Sequence, residues 1–270
     1  MKYLQTGNFF GQTNKIINID GVTLTDTEYT HPKVDWHYHE NAYFTFILSG
    51  NVIEGNKKEI YNCSAGSLLF HNWQDPHYNI KPEGFTRGFH IEINNDWIKT
   101  FMENFNCPAG SINIKDPQTR LIVYKIYKEI RFADDNFKLS INQLLINLLQ
   151  SLEKNNYQKE NKTPHWVSKL KHLLNDCVNE KLSLQYLSEQ LGIHPVHLSR
   201  DFPKYFSCNL GEYIRKVKIE KSLSLFSNPN LSLTEIAHSC GFADQSHFLR
   251  CFKEVNGIKP SSYRKLILEP

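Results

Sequence analysis

The sequence predicts an α+β protein of two domains, an antiparallel β-barrel in the N-terminal half and an all-helical C-terminal half. Three observations carry this expectation. Up to about residue 93, short runs of β-branched and aromatic residues alternate with turn signals, and from about residue 116 apolar residues recur at helical spacing instead. Near the C-terminus a stretch of sequence occurs twice, at Leu182 to Phe202 and at Leu231 to Phe252.

Composition narrows the class. The 270 residues are 40% hydrophobic and 22% charged, with a mean hydropathy of −0.48, as in a globular protein rather than a disordered or fibrous one. The longest apolar run, Ala42 to Leu48, falls far short of the roughly 20 residues a membrane helix needs. The N-terminus MKYLQTGNFFGQTNK lacks a hydrophobic signal region, and Cys63, Cys107, Cys177, Cys208, Cys240 and Cys251 lie far apart with no CxxC pair. Both features predict reduced thiols in a cytoplasm.

Strands are expected from about Lys15 to Ile93, divided by Asp20-Gly21, Ser49-Gly50, Glu54-Gly55-Asn56, Ala65-Gly66 and Pro82-Glu83-Gly84. His37 and His39 are two residues apart and share one strand face, while His77 follows a strand-turn segment that could return to the same wall. Such a set is able to hold a divalent ion if it converges, and otherwise lines a small-molecule pocket. The pocket candidates are Trp36, His37, His39, Tyr43, Phe46, His71, Trp73 and His77; the metal candidates are His37, His39 and His77. No cofactor beyond that ion is implied.

This pattern resembles the cupin barrel, with Gly50 closing the first motif and Gly66 to His77 spanning the second. The resemblance implies a Glu on the metal. That position holds Tyr43 and Phe44, and Glu40, next to His39, faces away.

A helical hairpin is expected at about 116–153. Its second helix aligns Ile141, Leu144, Leu145, Leu148, Leu149 and Leu152 along one face, fit either to pack on its own barrel or to meet a second copy. A polar stretch, Glu153 to Pro164, then predicts a linker at 156–164 between a domain at 1–155 and one at 165–270. The first 155 residues hold 15 Lys+Arg against 17 Asp+Glu, and the rest 16 against 11. The net +3 thus hides a basic C-terminal half suited to a polyanion.

Each copy of the repeat has a helix pattern, a glycine (Gly192 or Gly241) and a second helix pattern, which is a helix-turn-helix. Leu187, Leu198 and Phe202 form one core, with Ile236, Phe248 and Phe252 in the other, and Leu210 to Phe226 forms a helix between the copies. A helix in the major groove presents its outward residues to bases and its flanking cations to phosphate. The base-reading candidates are His194, Val196, His197, Ser199 and Arg200 in the first copy, with Asp244, Gln245, Ser246, His247 and Arg250 in the second. Arg suits guanine and Gln adenine. Lys204, Lys216, Lys253 and Lys259 are assigned to phosphate.

The residues LSLTEIA, GFADQSHFLRCFKEVNGIKPSSYRK and, in the first copy, HPVHLSRDF resemble the AraC-type family of bacterial transcription regulators, over roughly residues 20 to 265. Membership implies a sequence-specific regulator with an effector in the barrel, and promoter DNA, RNA polymerase and a second copy as partners. The chain departs from the pattern at Pro203, where the first reading helix is expected to end early, at Ser207-Cys208, and at Ala243, which leaves Asp244 to cap the second. The competing reading is a metal-dependent cupin enzyme fused to a DNA-binding domain.

Overall fold

The computed structural model describes all residues except 103–104, 133–135, 161–163, 177–181, 207 and 269–270, and of residues 154–160, 168, 171–172, 175–176 and 266 it describes the backbone alone. The chain divides into two compact units, Met1–Asn156 with Leu266–Pro270, and Tyr157–Lys265. The first is rich in sheet and the second is helical, in keeping with the α+β expectation.

The first unit begins with ten strands: β1 (Lys2–Leu4), β2 (Gln12–Ile19), β3 (Val22–Glu28), β4 (Lys33–His39), β5 (Ala42–Ser49), β6 (Asn51–Asn56), β7 (Ile60–Ser64), β8 (Leu68–His71), β9 (His77–Ile80) and β10 (Arg87–Ile93). Helix α1 (Asn95–Phe101), strand β11 (Ser111–Ile114) and helices α2 (Pro117–Arg131) and α3 (Phe137–Glu160) follow. The strands make two sheets, ordered β1-β4-β9-β6-β7 and β11-β8-β5-β10-β3-β2. Pairing is antiparallel throughout except for β1 with β4, which run parallel.

Local chemistry sets these turns. Asp20 and Gly21 both have positive φ, 25° and 92°, and join β2 to β3 as a two-residue loop whose twist suits a hairpin. At Gly50 (φ 77°) a Cβ would lie 2.0 Å from the Phe85 carbonyl oxygen, so only glycine fits that crossing.

Alternation along the six-stranded sheet separates two environments. Phe44, Phe46 and Phe89 point toward the helices, where Phe46 packs edge-on to Tyr124 at 4.4 Å and Phe89 to Tyr127 at 5.2 Å. Arg87 donates from Nε and Nη2 to the Asp26 carboxylate at 2.6 Å each, and Tyr127 donates to the same group at 3.3 Å, tying α2 to the sheet. Tyr43, Thr45 and His90 face the other sheet. On α3, Ile141, Leu145, Leu148, Leu149 and Leu152 are buried within the chain and Leu144 is half-buried, so the stripe packs on its own unit. The helical backbone runs on to Glu160, through residues 156–160 of the expected linker; residues 161–163 lie outside the described residues.

The second unit holds α4 (His165–Asp176), α5 (Leu184–Leu191), α6 (Pro195–Phe206), α7 (Leu210–Leu225), α8 (Leu233–Ser239), α9 (Gln245–Asn256) and, up to Lys265, α10 (Pro260–Leu268). Each repeat is a pair, α5–α6 and α8–α9, turning at Gly192 (φ 66°) and Gly241 (φ 73°). Ser183 and Asp244 cap α5 and α9 by accepting from the Tyr186 and His247 backbone N–H groups, and Ser232 with Glu235 makes a reciprocal capping box on α8. The first pair buries Leu187, Leu198, Phe202 and Phe206 against Val167, Leu170 and Tyr213. In the second, Phe226, Phe248, Phe252 and Tyr263 form an aromatic cluster, with Phe226 to Phe252 at 5.3 Å. α6 does not end at Pro203. It continues to Phe206, because the buried Leu198, Phe202 and Phe206 hold the last turn despite the backbone donor that proline lacks.

Among the described residues the five cysteines Cys63, Cys107, Cys208, Cys240 and Cys251 are free, and no helix is long and apolar enough to cross a membrane. Cys177 and Ser207 lie outside the described residues.

Candidate functional site

Two places in the chain gather unusual side chains, a cavity inside the sheet unit and the outward faces of α6 and α9.

The cavity lies between the two sheets, which contribute His37 and His39 from β4, Glu54 from β6, His77 and Asn79 from β9, Tyr43 and Thr45 from β5, and His90 from β10. Phe9 and Phe10, on the segment before β2, also face it. Its volume is about 40 Å³, room for a few waters.

β4 and β9 pair at His37 and His77, so the three predicted histidines meet, with one ring nitrogen of each within 4.8 Å of the others. The Nδ1–H of His37 donates to the Asp35 carbonyl at 2.9 Å and that of His77 to the Asp75 carbonyl at 3.1 Å. Each bond fixes the tautomer and leaves Nε2 as the acceptor. His77 Nε2 accepts from the Tyr43 hydroxyl at 2.8 Å, and Nδ1 of His39 is buried without a hydrogen-bond partner.

Burial keeps these groups uncharged. It lowers the pKa of His37, holds His39 and His71 well below the ordinary imidazole range, and brings His77 and His90 to about 3. The neighbouring imidazoles add to the depression of His39 and His71. Burial also pushes the Glu54 carboxyl up to about 8 and Glu92 up to about 7. Glu54 is therefore a neutral acid at neutral pH, 3.2 Å from His71 Nε2 but not aligned to hydrogen-bond it.

Four of the eight predicted pocket residues, His37, His39, Tyr43 and His77, line the cavity. The other four require correction. Trp36 is 38% exposed because the strand that turns His37 inward turns its neighbour out, and Trp73 is 58% exposed in the loop between β8 and β9. Phe46 is buried on the helix side of β5, and His71 sits behind Tyr43, its ring stacked on the phenol at 4.4 Å. Sequence reasoning missed Phe9, Phe10, Tyr29, Thr45, Glu54, Asn79 and His90. The strand parity of His90 beside apolar Phe89 was a usable signal. Nothing local marks Phe9, whose ring stacks on His90 with centroids 3.7 Å apart.

On the second unit the base-reading candidates lie outside the core. His194, Val196, His197, Ser199, Arg200, Asp244, Ser246 and Arg250 are exposed, and Gln245 and His247 are half-buried. Several have partners within the chain. The His194 ring accepts from the Val196 N–H at 3.3 Å, Gln245 accepts from the Thr234 hydroxyl at 3.0 Å, and the Asp244 carboxylate is used in its cap. Of the phosphate candidates, Lys204, Lys253 and Lys259 are exposed, whereas Lys216 is 23% exposed and paired with Glu212 at 2.8 Å. Lys218 donates to the Gly241 carbonyl at 2.5 Å and lies over the Phe242 ring, fastening α7 to the turn of the second pair.

The family profile described as "Helix-turn-helix domain" matches residues 187–266. The chain is similar to the Msm operon regulatory protein of Streptococcus mutans serotype c, with 29% identity over 170 residues, 63% of this chain and 54% of that protein. It is also similar to the uncharacterized HTH-type transcriptional regulator YdeC of Bacillus subtilis (strain 168), with 24% identity over 254 residues, 85% of this chain and 86% of that one. The chain thus spans about half the length of the first relative. Among solved structures, ToxT from Vibrio cholerae O395 aligns over 93% of this chain and 99% of its own at 15% identity, with a TM-score of 0.38.

Proposed function

We propose, from the premise that residues 187–266 are a helix-turn-helix domain of the AraC type, that this chain is a cytoplasmic transcription regulator rather than an enzyme. Residues 165–270 bind promoter DNA through both helix pairs, and residues 1–155, joined by 156–164, sense a small effector. RNA polymerase and a second copy of the chain are its protein partners. The observation that carries the reading is the pair of helices, α6 and α9, each with an apolar face spent on its own core and polar residues left outside. A helix of that kind enters a major groove without exposing its core. Base contacts fall to Arg200, Arg250, Gln245, His197, Ser199, Ser246 and His247, with Lys204, Lys253 and Lys259 on phosphate. Selection from a pool of randomised duplexes tests this: the full chain enriches a defined sequence, and Arg250→Ala relaxes it. Recovery of an unbiased pool would overturn the reading.

Coupling between effector and DNA requires the effector to favour one state of the protein over another. A second reading of the cavity is favoured by the convergence of His37, His39 and His77. These three would hold a divalent ion, and their neutral imidazoles, with the tautomers of His37 and His77 fixed by backbone carbonyls, fit one. Such an ion would supply a positive centre for an anionic or carbonyl-bearing effector. Thermal shift of the full chain against sugars, aromatic acids and Zn²⁺ or Ni²⁺ separates the two. Stabilisation by metal that His37→Ala removes favours the ion, and stabilisation by an organic compound in chelator favours the plain pocket.

A further inference from the structure

The two reading helices match residue for residue at an offset of 50, which pairs Arg200 with Arg250 and Phe202 with Phe252. The residue after the arginine differs. It is Asp201 in α6 and Cys251 in α9, and Cys251 is buried in the core. The Asp201 carboxylate accepts from Arg200 Nε at 3.1 Å and from Arg200 Nη2 at 3.3 Å, and from Lys204 Nζ at 2.8 Å. Arg200 Nη2 also meets His197 Nδ1 at 3.2 Å. The fork that would pair with a guanine edge is therefore filled by a carboxylate of its own helix. Hydrogen bonds from Arg200 and Lys204 bring the Asp201 carboxyl down to about 2, so the charge persists at any physiological pH.

Arg250 is different. It is exposed and, among the described residues, is in no hydrogen bond or ion pair; Glu254, one turn on, does not reach it. Both helices carry two cations and one acid, Arg200, Lys204 and Asp201 against Arg250, Lys253 and Glu254. What separates them is where the acid stands.

Resting on the DNA-binding reading above, we propose that Asp201 is a specificity-determining residue: it occupies Arg200 and Lys204, so the second helix pair carries most of the base reading and the first engages only where DNA outcompetes the carboxylate. Because Arg200 is exposed and Asp201 only half-buried, water and phosphate exchange for the pair readily, and it tunes the first reader rather than blocking it.

The test uses the full chain, a fluorescent mixed-sequence duplex of about 30 base pairs, three helical turns, and a series of salt concentrations. Asp201→Asn is expected to tighten binding by roughly three- to tenfold at low salt and to steepen the salt slope by about 1, as one more cation reaches phosphate. Arg200→Ala is expected to cost little in the parent and to cancel most of the gain in Asp201→Asn, while Arg250→Ala weakens selection in both backgrounds. Asp201→Ser serves if the asparagine variant does not fold, with a thermal melt as the check. Unchanged or weaker binding on removal of the carboxylate overturns the proposal, since Asp201 would then be orienting Arg200 toward DNA. So does a gain that survives Arg200→Ala and Lys204→Ala together. If the parent chain binds no duplex at any salt, the DNA reading itself falls and this inference with it.

Discussion

The two units keep their chemistry in opposite places. In the sheet unit the polar groups are inside, with His37, His39, His71, His77, His90 and Glu54 all nearly inaccessible to water. In the helical unit, among the described residues, the charged groups and histidines are outside, and the interior is mainly aromatic and aliphatic. The difference teaches how each unit answers perturbation. A buried imidazole cluster ties stability to protons, ions and small molecules. An apolar core with a polar face separates stability from binding, so that one is changed without the other.

Four measurements bear on this contrast. The largest effect is expected from Phe252→Ala, which empties the centre of the second aromatic cluster and should cost about 3–5 kcal/mol in denaturant unfolding of the helical unit. Trp73→Ala, on the surface of the sheet unit, should stay within about 0.5 kcal/mol. A comparable loss at Trp73 would mean that its ring supports the cavity after all.

Next comes acid sensitivity. His90 has a folded pKa of about 3 against an ordinary 6.5, so only the unfolded chain takes up its proton between those values. Its stability is full above pH 6.5 and declines as pH falls toward 3, by about 2 kcal/mol at pH 5. Glu54 and Glu92, raised to about 8 and about 7, act in the opposite sense: what each contributes is full below its ordinary value of 4.5 and is lost as pH rises through its folded value. The gap in stability between His90→Gln and the parent should therefore narrow by about 2 kcal/mol from pH 7 to pH 5. A gap that stays constant would show that His90 titrates normally in the fold.

Arg250→Ala is expected to weaken binding to the selected DNA sequence by about 1–3 kcal/mol without moving the thermal midpoint of the chain. A matching loss of stability would break the separation between core and face. The smallest effect belongs to the lysines. Lys253→Ala should lower the salt slope by about 1, and Lys216→Ala by less, since Glu212 already holds that ammonium. Equal slopes would remove the distinction between a free and a paired cation.

The sequence was most legible where periodicity and punctuation coincide. The repeat, the two turn glycines, the Asp244 cap and the buried Leu198, Phe202, Phe248 and Phe252 are local patterns of spacing, and the structure has them at those positions. The histidine convergence was legible because His37 and His39 share a strand face, and it needed only one further pairing, β4 with β9, to bring in His77. What failed were questions of side and of distance. Trp36 and Phe46 are on the wrong faces of their strands, a matter of parity that aromatic content alone does not settle. Glu54, His90 and Phe9 come from three separate segments, and only the sheet order gathers them. Pro203 misled because a local rule was outweighed by two buried rings, Phe202 and Phe206, and Leu198 on the same helix.

The stacking of Phe9 on His90 has a spectroscopic side. With the rings 8° from parallel and their centroids 3.7 Å apart, the phenyl ring current shields the imidazole protons and shifts them away from those of the other histidines. His90 is thereby a native reporter for the cavity. Any occupant that displaces Phe9 changes that resonance, whatever its own chemistry, with no label attached to either partner.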